Sequence, residues 1–250
     1  MMKLKNFKIA RARSLFFILF LIFPALSIAQ QYTVSEDHQK YRKEVLKDMQ
    51  KVMGKLPKRK ALKPSDVQII DSVQEANFVR YNILFTVENK EVLPLYLYIP
   101  SQKVVNQKLP AMLVLHETDP LGRKAVDGQG NKTNRAHARE LAQRGYVVIA
   151  PDFPSFGDTE DYNFETDRYK SGTMKGVFNH MRCIDLLQSR ADVDAENIGV
   201  LGHSLGGHNS IFLAAMDERI KIAVSSCGWT QFDYYNIGAE AEKKYGGRLG

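Results

Sequence analysis

The sequence is short of the features that mark several common protein classes. It has two cysteines and one tryptophan in 250 residues. Cys183 and Cys227, 44 positions apart, do not form the framework that staples a small secreted scaffold. Two buried free thiols are expected instead. No cluster of histidine, cysteine and carboxylate has the spacing of a metal site, so neither a metal nor another cofactor is expected. No internal repeat or low-complexity tract occurs, which argues against a solenoid. The apolar run from Leu15 to Phe23 falls short of the ~20 residues that span a bilayer. Histidine is also scarce: there are six, and the last is His208.

The opening residues have the three-part plan of an export signal. Lys3, Lys5, Lys8, Arg11 and Arg13 form a basic start, the apolar run follows, and small residues lead to Ala29. That pattern predicts a signal peptide over 1–29, cut after Ala29, and hence a secreted or periplasmic protein with no stable membrane span after cleavage. The formal net charge is +7, of which the leader supplies +5. The basic balance is therefore largely an export feature and gives no reason to expect nucleic acid as a partner. The run "KLPKRKALK" at 55–63 has no interleaved aromatics and reads as a solvated linker.

Three zones follow the leader. Residues 30–64 are expected to hold an N-terminal helix and the basic linker. Apolar residues at Tyr41, Val45, Leu46, Met49 and Val52 have helical spacing, with Ser35 as N-cap and Gly54 as the stop. From residue 65 to 250 the reading is one α/β domain. Three segments rich in β-branched and aromatic residues, "DVQIIDSV", "NFVRYNILFTV" and "VLPLYLYIP", predict an antiparallel meander. Beyond Leu109, apolar strands alternate with helical stretches at 133–145, 171–190 and 204–216. That pattern predicts a mostly parallel sheet with helices on both faces.

The chemistry gathers in "IGVLGHSLGGH". Gly202-His203-Ser204-Leu205-Gly206 fits G-x-S-x-G between an apolar strand and a helix. A serine on so tight a turn is held in a strained conformation, and glycines two before and two after relieve the crowding. The helix start aims N–H groups and a favourable dipole at the reacting centre. A tetrahedral intermediate needs two backbone donors. One is the N–H of Leu205; for the other, the strand end "LVLHETDPLG" offers Thr118, with Glu117 as second choice. His116 in that strand end is expected to brace the loop. His203 is expected to pack beside the serine, and His208 to lie on the helix flank. Asp152 is expected to shape its loop or touch substrate. Phe153, Phe156 and Trp229 are candidates for the pocket wall or the core.

On "LVLHET", "ELAQRGYVVIAPDFPSFGD", "NIGVLGHSLGGH" and "IKIAVSSCG", the chain resembles the α/β-hydrolase superfamily, and within it the dienelactone hydrolase-like and acetyl xylan esterase-like branch. The resemblance implies Ser204 as nucleophile, Leu205 and Thr118 as the oxyanion hole, and acyl transfer to water. It also implies an acid and then a histidine after the elbow. Here only one strand, 220–228, follows, with Asp233 as an early candidate acid and no histidine beyond His208. The C-terminal part of the fold is therefore expected to be missing, with the catalytic histidine beyond Gly250.

The expected function is a secreted serine hydrolase acting on carboxylic esters, such as acyl groups on polysaccharide. Two rivals stand beside it: a prolyl oligopeptidase-type serine peptidase, and a binding protein on the same fold without catalysis.

Overall fold

The computed structural model describes residues 35–101 and 107–230. The chain divides into two compact units, 1–43 and 44–250. The expected signal peptide and Asp233 lie outside the described residues.

Helix α1, Glu36–Met53, starts and stops where its sequence signals stand. The Ser35 hydroxyl accepts from the His38 N–H at 3.3 Å, satisfying one of the free donors of the first turn. Gly54 ends the helix at φ +103°, a left-handed position that glycine adopts at no steric cost. Leu56 and Leu62, from the expected solvated linker, pack against the main core. The run at 55–63 is thus held on the domain by its apolar residues.

The meander forms as read: β1 (Val67–Gln74), β2 (Phe78–Glu88) and β3 (Glu91–Pro100) pair antiparallel. The later strands are β4 (Leu109–Leu115), β5 (Val147–Pro151), β6 (Val193–His203) and β7 (Ile220–Ser226). Together they make a seven-stranded sheet in the order β1-β2-β3-β5-β4-β6-β7, and β5, β4, β6 and β7 run parallel. The helices between them are α2 (Arg123–Val126), α3 (His137–Gln143), α4 (Gly172–Ser189) and α5 (Leu205–Met216). Strand alternation sorts the core onto two faces. Leu95 and Leu97 of β3 join one cluster with Val177, Met181 and Ile184 of α4. Tyr96 and Tyr98 join the other with Ala138 and Ala142 of α3. A sheet clothed on both faces in this order is the α/β-hydrolase arrangement.

Two expectations about local structure are corrected. The segment 133–145 is helical only from His137, because Arg135 is drawn out of the turn toward Glu117. Cys183 is buried in α4, but Cys227 is exposed just past the end of β7; both are free thiols. Among the described residues β7 is an edge strand with Ile222 and Val224 exposed.

From β4 the chain crosses to β5 on one side, then returns past β4 to β6 on the other. In open α/β sheets the crevice at such a reversal, beyond the carboxyl ends of the strands, is where ligands bind. Leu115 of β4 pairs with Gly202 of β6, so both strands end together at that crevice.

Candidate active site

Ser204 stands between the last residue of β6 and the first of α5, with φ 52° and ψ −117°. A non-glycine residue reaches this region only when its surroundings over-determine it, and such strain gathers at functional sites. Its N–H donates to the Ser226 carbonyl at 2.8 Å, and its carbonyl accepts from His208 N at 2.9 Å. Its hydroxyl makes no hydrogen bond to cap α5. The half-buried side chain is thus left at a helix N-terminus, where the dipole favours negative charge.

The glycines of the motif are sterically required. A β-carbon on Gly202 would fall on the Gly206 backbone, and one on Gly206 would fall on the Leu115 carbonyl. The same β-carbon would stand 2.8 Å from the His116 carbonyl oxygen. The elbow and the end of β4 therefore touch backbone to backbone, which sets Leu115 and His116 beside Gly206. Neither Leu205 N–H nor Thr118 N–H donates a hydrogen bond among the described residues. Thr118 itself is exposed.

His116 is buried, and both its ring nitrogens are engaged. Nε2 accepts from the Phe153 N–H at 2.9 Å, so the ring proton sits on Nδ1 and is donated to the Glu117 carbonyl at 2.6 Å. Burial pushes its pKa below the ordinary imidazole value, and the hydrogen bond to the Glu117 backbone only partly offsets this. A neutral ring bonded at both nitrogens is a brace for the loop, as expected, and lines no open pocket.

The other expected pocket residues divide. Asp152 is wholly buried. Its carboxylate accepts from the N–H groups of Arg123 at 2.7 Å and Asp158 at 3.0 Å, and it pairs with the Arg123 guanidinium. It shapes the loop, the first of the two readings the sequence left open, and its side chain has no exposed surface for the other, a contact with substrate. Phe153 and Phe156 are likewise core residues, packed on each other, with Phe156 also edge-on to the His116 ring. His203 is half-buried beside the serine, with Nδ1 3.0 Å from the Ser226 hydroxyl. Trp229 is 58% exposed and stands against Phe212 of α5, centroids 6.1 Å apart. His208 turns to α4, its Nε2 3.1 Å from the Thr173 hydroxyl, and burial lowers its pKa. That ring lies on the helix flank, as its place in the sequence suggested.

Glu117 is buried, with Oε1 3.0 Å from Arg135 Nε and 3.6 Å from Lys132 Nζ. The Arg135 pair is a charge contact without an aligned hydrogen bond. The contact of Glu117 with Arg135 and the part of Ser226 in holding the elbow were not expected. No local pattern announces either one, because each depends on contacts distant in sequence. Among the described residues no group of three or more histidines, cysteines and carboxylates could hold a metal ion, and no helix is long and apolar enough to cross a membrane.

Known proteins share this architecture. YtaP of Bacillus subtilis (strain 168), provisionally named a hydrolase, is 28% identical over 205 residues, covering 78% of this chain and 66% of YtaP. A Bacteroides fragilis NCTC 9343 protein, provisionally described as an acetyl xylan esterase, superposes with a TM-score of 0.60 at 18% identity. That match covers 73% of this chain and 51% of the other. The glucuronoyl esterase from Solibacter usitatus superposes with a TM-score of 0.53 at 18% identity, covering 76% and 59%. The chain thus spans about two thirds of YtaP and little more than half of the two esterases. Residues 93–243 match the dienelactone hydrolase family, and with the elbow and sheet order described above the chain belongs to that family of hydrolases.

Proposed function

We propose that the site is the nucleophilic centre of a serine hydrolase that cleaves carboxylic esters. The observation that carries this reading is the backbone of Ser204, at φ 52° and ψ −117° on the N-terminus of α5. The Ser204 hydroxyl oxygen attacks the ester carbonyl carbon and its proton passes to a base. The carbonyl oxygen becomes an anion, received by the N–H groups of Leu205 and Thr118. Collapse of the tetrahedral intermediate expels the alcohol, which takes up the proton, and leaves an acyl group on Ser204. Water then repeats the sequence on the acyl-enzyme. Each oxyanion donor contributes about 3 kcal/mol of transition-state stabilisation in such sites.

Two of the rings already placed are not offered as the base. His116 is bonded at both nitrogens, and His208 is turned toward Thr173. The names of the structural relatives, an acetyl xylan esterase and a glucuronoyl esterase, support an ester borne on polysaccharide as the substrate. The basic-then-apolar leader ending at Ala29 supports a secreted or periplasmic location.

Covalent labelling tests the reading. A fluorophosphonate should modify Ser204 and no other serine, and the Ser204→Ala protein should stay unlabelled. Absence of label under conditions that modify a control esterase would refute it.

A further inference from the structure

The basic run at 55–63 is left without a role by the chemistry at Ser204. In the fold it lies beside the end of β2 and the middle of α4, where its lysines line a cavity of about 370 Å³. That volume lies within the ~300–1,000 Å³ of small-ligand pockets. Five cationic side chains line it, Lys58, Lys60, Lys63, Arg168 and Arg182, against two acidic ones, Asp66 and Glu88.

The acids are already satisfied. Glu88 pairs with Arg168 and accepts from the Tyr169 hydroxyl at 2.8 Å. Asp66 accepts from the Lys63 N–H at 2.9 Å and lies 3.8 Å from Arg182 Nη2. Lys58, Lys60 and Lys63 make no ion pair among the described residues, and the Lys60 ammonium reaches only the Asn89 amide oxygen at 3.4 Å. Arg182 is 3% exposed. Its Nε donates to the Val87 carbonyl and its Nη1 to the Lys60 carbonyl and the Asp185 carboxylate, while Nη2 faces Asp66 without a hydrogen bond. Arg182 is thus a buried guanidinium on the cavity lining whose charge is already shared with Asp185 and Asp66.

We propose that this cavity holds a carboxylate-bearing sugar unit of an acidic oligosaccharide. The three unpaired ammonium groups suit a carboxylate, while the neutral Thr86 and Asn89 in the same lining suit sugar hydroxyls. A single-stranded nucleic acid would need exposed aromatic faces for its bases; the one aromatic lining residue, Phe178, is buried. Leu95 of β3 pairs with Pro151, the last residue of β5, so the β2–β3 turn stands at the sheet edge where Ser204 lies. Four strand spacings separate β2 from β6, about 19 Å at ~4.8 Å each. One polymer can therefore occupy both places, a consequence that rests on the ester-hydrolase reading, whereas binding at the cavity does not.

The test is calorimetric titration of the Ser204→Ala protein, so that turnover plays no part. Tetragalacturonate should bind with an affinity that falls as salt rises, and neutral xylotetraose should not bind. Replacing Lys58, Lys60 and Lys63 together by serine should weaken tetragalacturonate at least tenfold without shifting the Tm, and replacing all three by arginine should preserve binding. No binding of tetragalacturonate, unchanged binding in the triple serine variant, or equally tight binding of inorganic phosphate or a short single-stranded DNA would overturn the proposal.

Discussion

The Ser204 N–H donates to the Ser226 carbonyl at 2.8 Å, and the Ser226 hydroxyl meets His203 Nδ1 at 3.0 Å. One residue at the end of β7 thus grips both sides of the bend. The strained dihedrals of Ser204 persist because this contact from β7 and the backbone of the loop after β4 leave the turn no other shape. Strain, helix terminus and adjoining loop form one unit, and the first two substitutions below probe it.

Relief of that strain is measurable. Ser204→Gly should stabilise the protein by about 1 kcal/mol in urea denaturation, because glycine adopts φ 52° freely, while abolishing ester cleavage. A stability equal to or below that of the wild type would mean that Ser204 is not strained.

Backbone contact between elbow and loop makes Gly206→Ala costly. The new methyl would meet the Leu115 carbonyl, which belongs to a central strand and cannot give way as a flexible side chain would. A loss of more than about 3 kcal/mol, or failure to fold, is expected. A loss under 1 kcal/mol would show that the two segments are farther apart.

Acid should destabilise the fold through His180. Burial, with a smaller contribution from nearby His116, lowers its pKa from 6.5 to about 3. Above pH 6.5 native and unfolded states are both neutral at this ring, and stability is full. Below pH 6.5 the unfolded chain binds a proton that the native state refuses until about pH 3, so stability falls through that window. The loss from this one residue is about 2 kcal/mol by pH 5. Urea unfolding at pH 7.5 and pH 5 should show a smaller drop in His180→Leu than in the wild type; an equal drop would contradict the assignment.

Asp152 is expected to matter for folding. Asp152→Ala leaves Arg123, which is 1% exposed, without its buried partner, and should cost about 3–5 kcal/mol. The protein that remains folded should still accept a fluorophosphonate on Ser204. Unchanged stability with lost labelling would instead place Asp152 in the site.

Much of the fold could be read locally. The spacing of β2, β3 and α4 and the cap at Ser35 lie where sequence places them, since period and capping are properties of neighbouring residues. The motif around Ser204 was legible for the same reason: strand, glycines and helix are contiguous. What escaped was long-range. Arg135 leaves its expected helix for Glu117, the Arg123–Asp152 pair buries a charge behind the loop, and the lysines of the supposed linker converge on Arg182. Nothing within a few residues of each signals its partner.

The central claim is that the Ser204 hydroxyl is a nucleophile facing two free amide hydrogens. Mass spectrometry of the fluorophosphonate-treated protein tests it most directly. The account requires a single adduct on the peptide containing Ser204, absent in Ser204→Ala and slowed by prior incubation with an ester substrate. An unmodified Ser204 beside a fully labelled control esterase, or an adduct on another serine, would contradict it.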